Sequence, residues 1–132
     1  MGHSKTSVET LAANPKSRVW ETVDRKGEVH FLRHSKNSKG NESSPMHTYT
    51  KTKIYVMRYE KGKLKGQVKE ISIMNPRTGK KMMDIHMKDE GIGPHVHHWK
   101  NFKRTTRDGE PLTKAQMKFI ENVVELAKTA KQ

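Results

Sequence analysis

The chain has 132 residues, 31% hydrophobic and 31% charged, which is one domain's length with only a small core to bury. Its formal net charge of +13 points to anionic partners, and the absence of cysteine removes disulfides, thiolate nucleophiles and cysteine-based zinc sites together. No apolar run approaches the roughly 20 residues of a membrane-spanning helix, and residues 1–5 lead into a polar stretch with no secretory signal, so a cytoplasmic site of action is expected.

In chain order, residues 7–13 suit a short helix or turn that Asn14-Pro15 would stop. Residues 19–23 alternate, residues 24–27 supply a turn and residues 28–32 return, which predicts a hairpin. Residues 35–45 are polar up to Pro45, with nothing to bury, and are expected to form a flexible loop. Residues 53–59 and 67–74 are rich in β-branched and aromatic side chains and predict two more strands. The second of these ends in the turn sequence Asn75-Pro76-Arg77-Thr78-Gly79.

Residues 81–88 continue as a strand on which period two is informative. Met83, Ile85 and Met87 share one face and suit a core, while Met82, Asp84, His86 and Lys88 share the other. A glycine-rich connection over 90–94 leads to residues 95–99. If extended, that segment puts His95, His97 and Trp99 on one side and His98 on the opposite side. Residues 102–111 form a basic loop. Thr113 and Gln116 then make a capping-box pattern, and Met117, Ile120, Val123, Val124 and Ala127 form one stripe, which predicts a helix over 113–130. The expectation is a single α+β domain over residues 1–132: an antiparallel sheet of four or five strands, a short N-terminal helix or turn, and a C-terminal helix covering one face. The other face is expected to be open and basic.

Charge and histidine coincide. Residues 51–109 carry fifteen Lys/Arg against six Asp/Glu, and residues 84–99 hold four of the eight histidines. Clustered cations capture phosphate backbones by releasing counterions, so nucleic acid is the expected partner, RNA favoured. Histidine donates and accepts protons near neutral pH and ligates metals. Three chemistries follow. A metal-independent ribonuclease needs a base for the 2′-hydroxyl, an acid for the leaving 5′-oxygen and cations for the phosphorane. His86, His95, His97 and His98 are its acid/base candidates, with Lys88, Lys100, Lys103 and Arg104 as phosphate clamps. A metal site is the second reading, with Asp84, His86, His95 and His97 as ligands and a divalent ion activating water; no cofactor is favoured, and a divalent metal is the one the residues would allow. The third is recognition without chemistry, in which Tyr55, Tyr59 and Trp99 stack bases beside Lys53, Arg58 and Lys100.

The stretch Met83-Asp84-Ile85-His86 through Pro94-His95-Val96-His97-His98-Trp99 resembles small toxin domains of bacterial polymorphic toxins and prophages, of the barnase, EndoU, colicin and RelE-like group. The resemblance covers about residues 52–100 and rests on a short motif. It implies helices ahead of a four-stranded antiparallel sheet, metal-independent ribonuclease activity, an immunity or host protein as a further partner, and His86, His95 and His97 as functional positions. The chain departs from that pattern at Asp89-Glu90, where an Asp-His pair is expected, and in placing its strong helix after the sheet. A phage or prophage protein that binds nucleic acid or a host factor without catalysis is the alternative.

Overall fold

The computed structural model describes residues 19–40, 44–46, 48, 51–88, 93–105 and 109–132. The helix or turn expected over 7–13 lies outside them, as do residues 41–43 of the expected loop and 90–92 of the glycine-rich connection. The chain is α+β: a seven-stranded, mostly antiparallel sheet and one C-terminal helix. The strands are β1 Trp20–Lys26, β2 Val29–His34, β3 Ile54–Arg58, β4 Val68–Met74, β5 Lys81–His86, β6 His95–Lys100 and β7 Lys103–Arg104, and they lie side by side in sequence order. The sheet is therefore larger than the four or five strands expected. The sequence does not reveal the two-residue β7.

Local chemistry explains the connections. Gly27 takes a φ of 63° in the two-residue turn joining β1 to β2. The β6–β7 turn is also of two residues, Asn101 and Phe102, both left-handed at φ 50° and 66°. Lys80 steadies it, with Nζ 3.4 Å from Asn101 Oδ1 and 5.2 Å from the centre of the Phe102 ring. β2 and β3 pair in parallel, the one departure from antiparallel order. Parallel neighbours require a long crossover, and residues 35–53 provide it.

Helix α1, Lys114–Ala127, starts where the capping box predicts: the Thr113 hydroxyl accepts from Gln116 N, and Gln116 Oε1 accepts from Thr113 N. Such a cap contributes about 1 kcal/mol. The helix buries Ile120, Val123 and Ala127 against Val29, Phe31, Val56, Ile71, Ile85 and Val96 of the sheet. Met117, expected in that stripe, is 46% exposed at the first turn. At the far end Arg58 donates to the carbonyls of Ala127, Ala130 and Lys131, while its guanidinium lies 4.9 Å from the Phe31 ring centre. The last carbonyls of the helix are thereby satisfied by a buried cation.

The opposite face corrects the expectation that it is open. Val19, Trp20, Leu32, Tyr55, Met57 and Met74 form a second buried cluster there. Part of the β2–β3 crossover lies across it: Thr48 N donates to Gly79 O at 2.7 Å and Lys81 N to Met46 O at 2.8 Å. Gly79 has to be glycine for this, since its φ is 73° and a Cβ would come within 2.5 Å of the Thr48 carbonyl oxygen. Ser44 and Pro45, at the end of the polar segment, are buried.

Candidate functional site

Strand register builds the site. Glu70, His86 and His95 are paired in one row across β4, β5 and β6, and Ser72, Asp84 and His97 in the next. All six belong to the sheet face away from α1, because Ile71, Ile85 and Val96 on the same strands bury themselves under the helix. His98 pairs with Met83 on the helix side and meets Glu110, with Nε2 3.0 Å from Oε2.

The three imidazoles of His86, His95 and His97 form a triangle with ring centres 5.0–5.4 Å apart. One nitrogen from each falls within 4.8 Å of the other two. His95 and His97 are 3% and 5% exposed, so His86, with a side chain 19% exposed, is the ring that meets solvent. His95 Nδ1–H donates to Gly93 O at 2.8 Å, which places the proton on Nδ1 and leaves Nε2 as the acceptor. His97 Nδ1 and Trp99 Nε1 are buried with no hydrogen-bond partner among the described residues. An unsatisfied buried group of this kind costs about 1–3 kcal/mol.

Carboxylates stand behind the rings. His86 Nε2 lies 4.0 Å from both Glu70 Oε2 and Asp84 Oδ2. Asp84 is itself held by a buried cage: Ser72 Oγ donates to Oδ1 at 2.9 Å, and Lys81 Nζ donates to Oδ2 at 3.2 Å and reaches Ser44 Oγ at 2.6 Å. Burial pushes the Asp84 carboxyl up, but His86, Lys81 and Ser72 outweigh it and hold the group at about 2. Glu70 is raised, by burial and then by the charge of Asp84. The two nearest histidines move in opposite directions. His86 is raised, chiefly by Asp84, against burial and with Glu70 helping. His97 is lowered, by burial and then by the positive charges of Arg104 and His86.

The remaining candidates divide. Arg104 is exposed, and its guanidinium lies 5.6 Å from the centre of the Trp99 ring, which also has Lys81 Nζ at 4.9 Å. Lys88, Lys100 and Lys103 are exposed, and among the described residues none forms a hydrogen bond, ion pair or ring contact with the three imidazoles. Tyr55 is a correction. It is 0% exposed, with its ring in the second core cluster and its hydroxyl 3.0 Å from Thr48 Oγ1, so it offers no surface for stacking a base. Half-exposed Tyr59 lines a cleft of about 550 Å³ whose wall also includes His34, Lys39, Lys61, Lys69 and Glu70. Glu70 thus connects this cationic cleft to the histidines.

Sequence reasoning missed Glu70, Ser72 and Lys81. The alternation of Glu70 and Ser72 with Ile71 and Ile73 was the available signal. It also missed Gly109, whose backbone joins the free edge of β6 through the Val96–Glu110 bridge. A Cβ there would lie 2.1 Å from His95 Cδ2. Gly109→Ala is expected to displace the His95 ring and to destabilise the chain by about 1–3 kcal/mol, read from urea unfolding. Unchanged stability together with an unshifted His95 ring resonance would refute this packing.

No family model matches the chain, and no curated protein or solved structure is significantly similar to it.

Proposed function

We propose that the chain binds RNA and cleaves it by general acid–base catalysis, without a metal, on the sheet face that carries His86, His95 and His97. The observation that carries this reading is the triangle of rings itself, three imidazoles within 5.4 Å backed by Asp84 and Glu70 in a chain of net charge +13. Neighbouring groups whose surroundings push their proton affinities apart suit an acid and a base.

In this reading neutral His97 accepts the proton of a ribose 2′-hydroxyl. The oxygen attacks the adjacent phosphorus, the bond from phosphorus to the 5′-oxygen breaks, and protonated His86 gives its proton to that oxygen. The products are a 2′,3′-cyclic phosphate and a 5′-hydroxyl. Arg104, whose charge reaches both rings, neutralises the phosphorane. Asp84 and Glu70 keep His86 protonated and oriented. His86 is the more exposed ring and His97 is only 5% exposed, so neighbouring side chains have to move aside for the substrate to reach the base. The cleft beside Glu70 offers Lys39, Lys61 and Lys69 to neighbouring phosphates.

The test is incubation of the full chain with single-stranded RNA in EDTA, beside a His86→Ala/His95→Ala/His97→Ala variant whose fold is checked by circular dichroism. Cleavage by the wild type and none by the variant is expected. RNA that survives both equally would sink the catalytic claim, and salt-sensitive binding without turnover would leave a non-catalytic nucleic-acid-binding protein in its place.

A further inference from the structure

We propose that the three imidazoles of His86, His95 and His97 also form a binding site for one first-row divalent cation of the zinc type, and that its occupation silences the RNA cleavage proposed above. The inference rests on that cleavage reading only for its second half; the binding site stands on geometry alone.

Three nitrogens within 4.8 Å of one another are close to a ligand set. Tetrahedral coordination with metal–nitrogen bonds of about 2.0–2.1 Å needs donors about 3.4 Å apart. His86 sits at the end of β5 and is the least buried of the three rings, so the closing movement falls to it, away from Glu70 and Asp84. His95 is already prepared. Its Nδ1–H is committed to the Gly93 carbonyl, the arrangement by which metal-bound histidines fix their tautomer and aim Nε2. The Gly109 backbone against that ring leaves it little room to rotate.

His97 supplies the independent observation. It is 5% exposed, and its Nδ1 has no hydrogen-bond partner among the described residues. A buried imidazole nitrogen without a partner is satisfied when that nitrogen itself serves as the ligand. The second group that lies close enough, Glu70 with Asp84 and His86, shares a corner with the first, so the carboxylates lie beside the ion as counter-charges or as a fourth ligand. All-nitrogen coordination with carboxylates behind it suits zinc, cobalt, nickel or copper, and suits magnesium or calcium poorly. Three histidine ligands leave a fourth position open to water.

The consequence for cleavage is competition. A ring that donates its lone pair to an ion cannot take a proton from a 2′-hydroxyl, and a ring held by an ion cannot deliver one to the leaving oxygen.

The experiment uses the full chain, freed of metal with EDTA and dialysed, and titrated first with cobalt and then with zinc. One equivalent of cobalt with the visible absorption of a tetrahedral nitrogen-rich site is expected, displaced stoichiometrically by zinc in calorimetry. His86→Ala, at the least buried corner, should weaken binding at least about 100-fold, whereas His98→Ala, on the opposite face, should leave it unchanged. His95→Gln and His97→Gln should abolish the cobalt band, with circular dichroism showing whether each is folded. Binding that His98→Ala weakens and His86→Ala spares would mean adventitious surface histidines and would overturn the site. The two claims separate cleanly. Tight zinc binding by a chain that never cleaves RNA upholds the metal site and removes the cleavage reading. Cleavage in EDTA that stoichiometric zinc leaves untouched upholds cleavage and removes the inhibitory ion.

Discussion

Replacing Lys81 with methionine is expected to destabilise the chain by about 3–5 kcal/mol, because it strands a buried carboxylate. Lys81 and Asp84 have side chains only 1% and 3% exposed, with Nζ 3.0 Å from Oδ1. The gain from such a pair over two apolar residues is small, since both charges have to leave water. The loss on removing one partner is large, since the other keeps its desolvation cost. A domain with a total stability of about 5–15 kcal/mol has little margin for that loss. Lys81→Met/Asp84→Asn should recover most of it, because the neutral amide still accepts from Ser72 Oγ. Urea midpoints of the wild type, the single and the double variant check this. A Lys81→Met midpoint near wild type would refute the buried pair.

The same cage sets an acid limit on stability. The Asp84 carboxyl is held at about 2, below the ordinary aspartate value of 3.8. A group with a folded-state pKa below its unfolded value contributes stability above the unfolded value, and loses it as pH falls through the folded one. The stabilisation, about 2 kcal/mol by linkage, should therefore persist down to about pH 4 and disappear between there and pH 2. The raised Glu70 works in the opposite sense: it favours the fold where it is protonated and charges a cost as it ionises at higher pH. Glu70→Gln should accordingly flatten the neutral-side fall in stability and leave the acid limb attributable to Asp84.

The second large effect is on catalysis. His97→Ala and His86→Ala should each lower the rate of RNA cleavage about 10²–10⁴-fold. In the proposed mechanism His97 is the neutral base, and its proton affinity is lowered, so the acid limb of the rate profile should fall below the ordinary histidine value of 6.5. His86 is the protonated acid of that mechanism, and its affinity is raised, so the alkaline limb should lie above 6.5. The plateau therefore spans neutrality. The groups facing His86 are Glu70 on β4, Asp84 on its own strand, His95 and His97 on β6, and Arg104 on β7. Asp84→Asn removes the largest cause of the upward shift and should draw the alkaline limb down toward 6.5 without moving the acid limb upward. A profile with both limbs unmoved would contradict the assignment of His86 as the acid.

How much of this was legible in the sequence follows the range of the interactions. Period two on residues 83–87 and 95–99 is local, so it separated His86 from Met83 and Ile85, and His95 and His97 from His98, without any knowledge of partners. Thr113 and Gln116 marked the helix start for the same reason. Register is a long-range quantity. That Glu70 and Ser72 stand beside His86 and Asp84 depends on how β4 pairs with β5, with an irregularity at Ile73/Met74 that no single strand records. Lys81 reads as a surface cation because lysine is rarely buried, and its burial becomes tolerable through Asp84 and the Ser44 hydroxyl delivered by the crossover. The crossover also misled the reading of Tyr55. A strand tyrosine beside lysines suits stacking until Thr48 and a second core cluster cover it. The parallel β2–β3 pair and the seventh strand belong to the same class of long-range fact.

The most direct measurement of the central claim is the chemistry of the cut ends. RNA incubated with the full chain in EDTA should yield 2′,3′-cyclic phosphate and 5′-hydroxyl termini, and the same sequence with 2′-O-methyl riboses should stay intact. Cleavage of the 2′-O-methyl strand, or 5′-phosphate ends that appear only when a divalent ion is restored, would contradict catalysis by the His86/His97 pair.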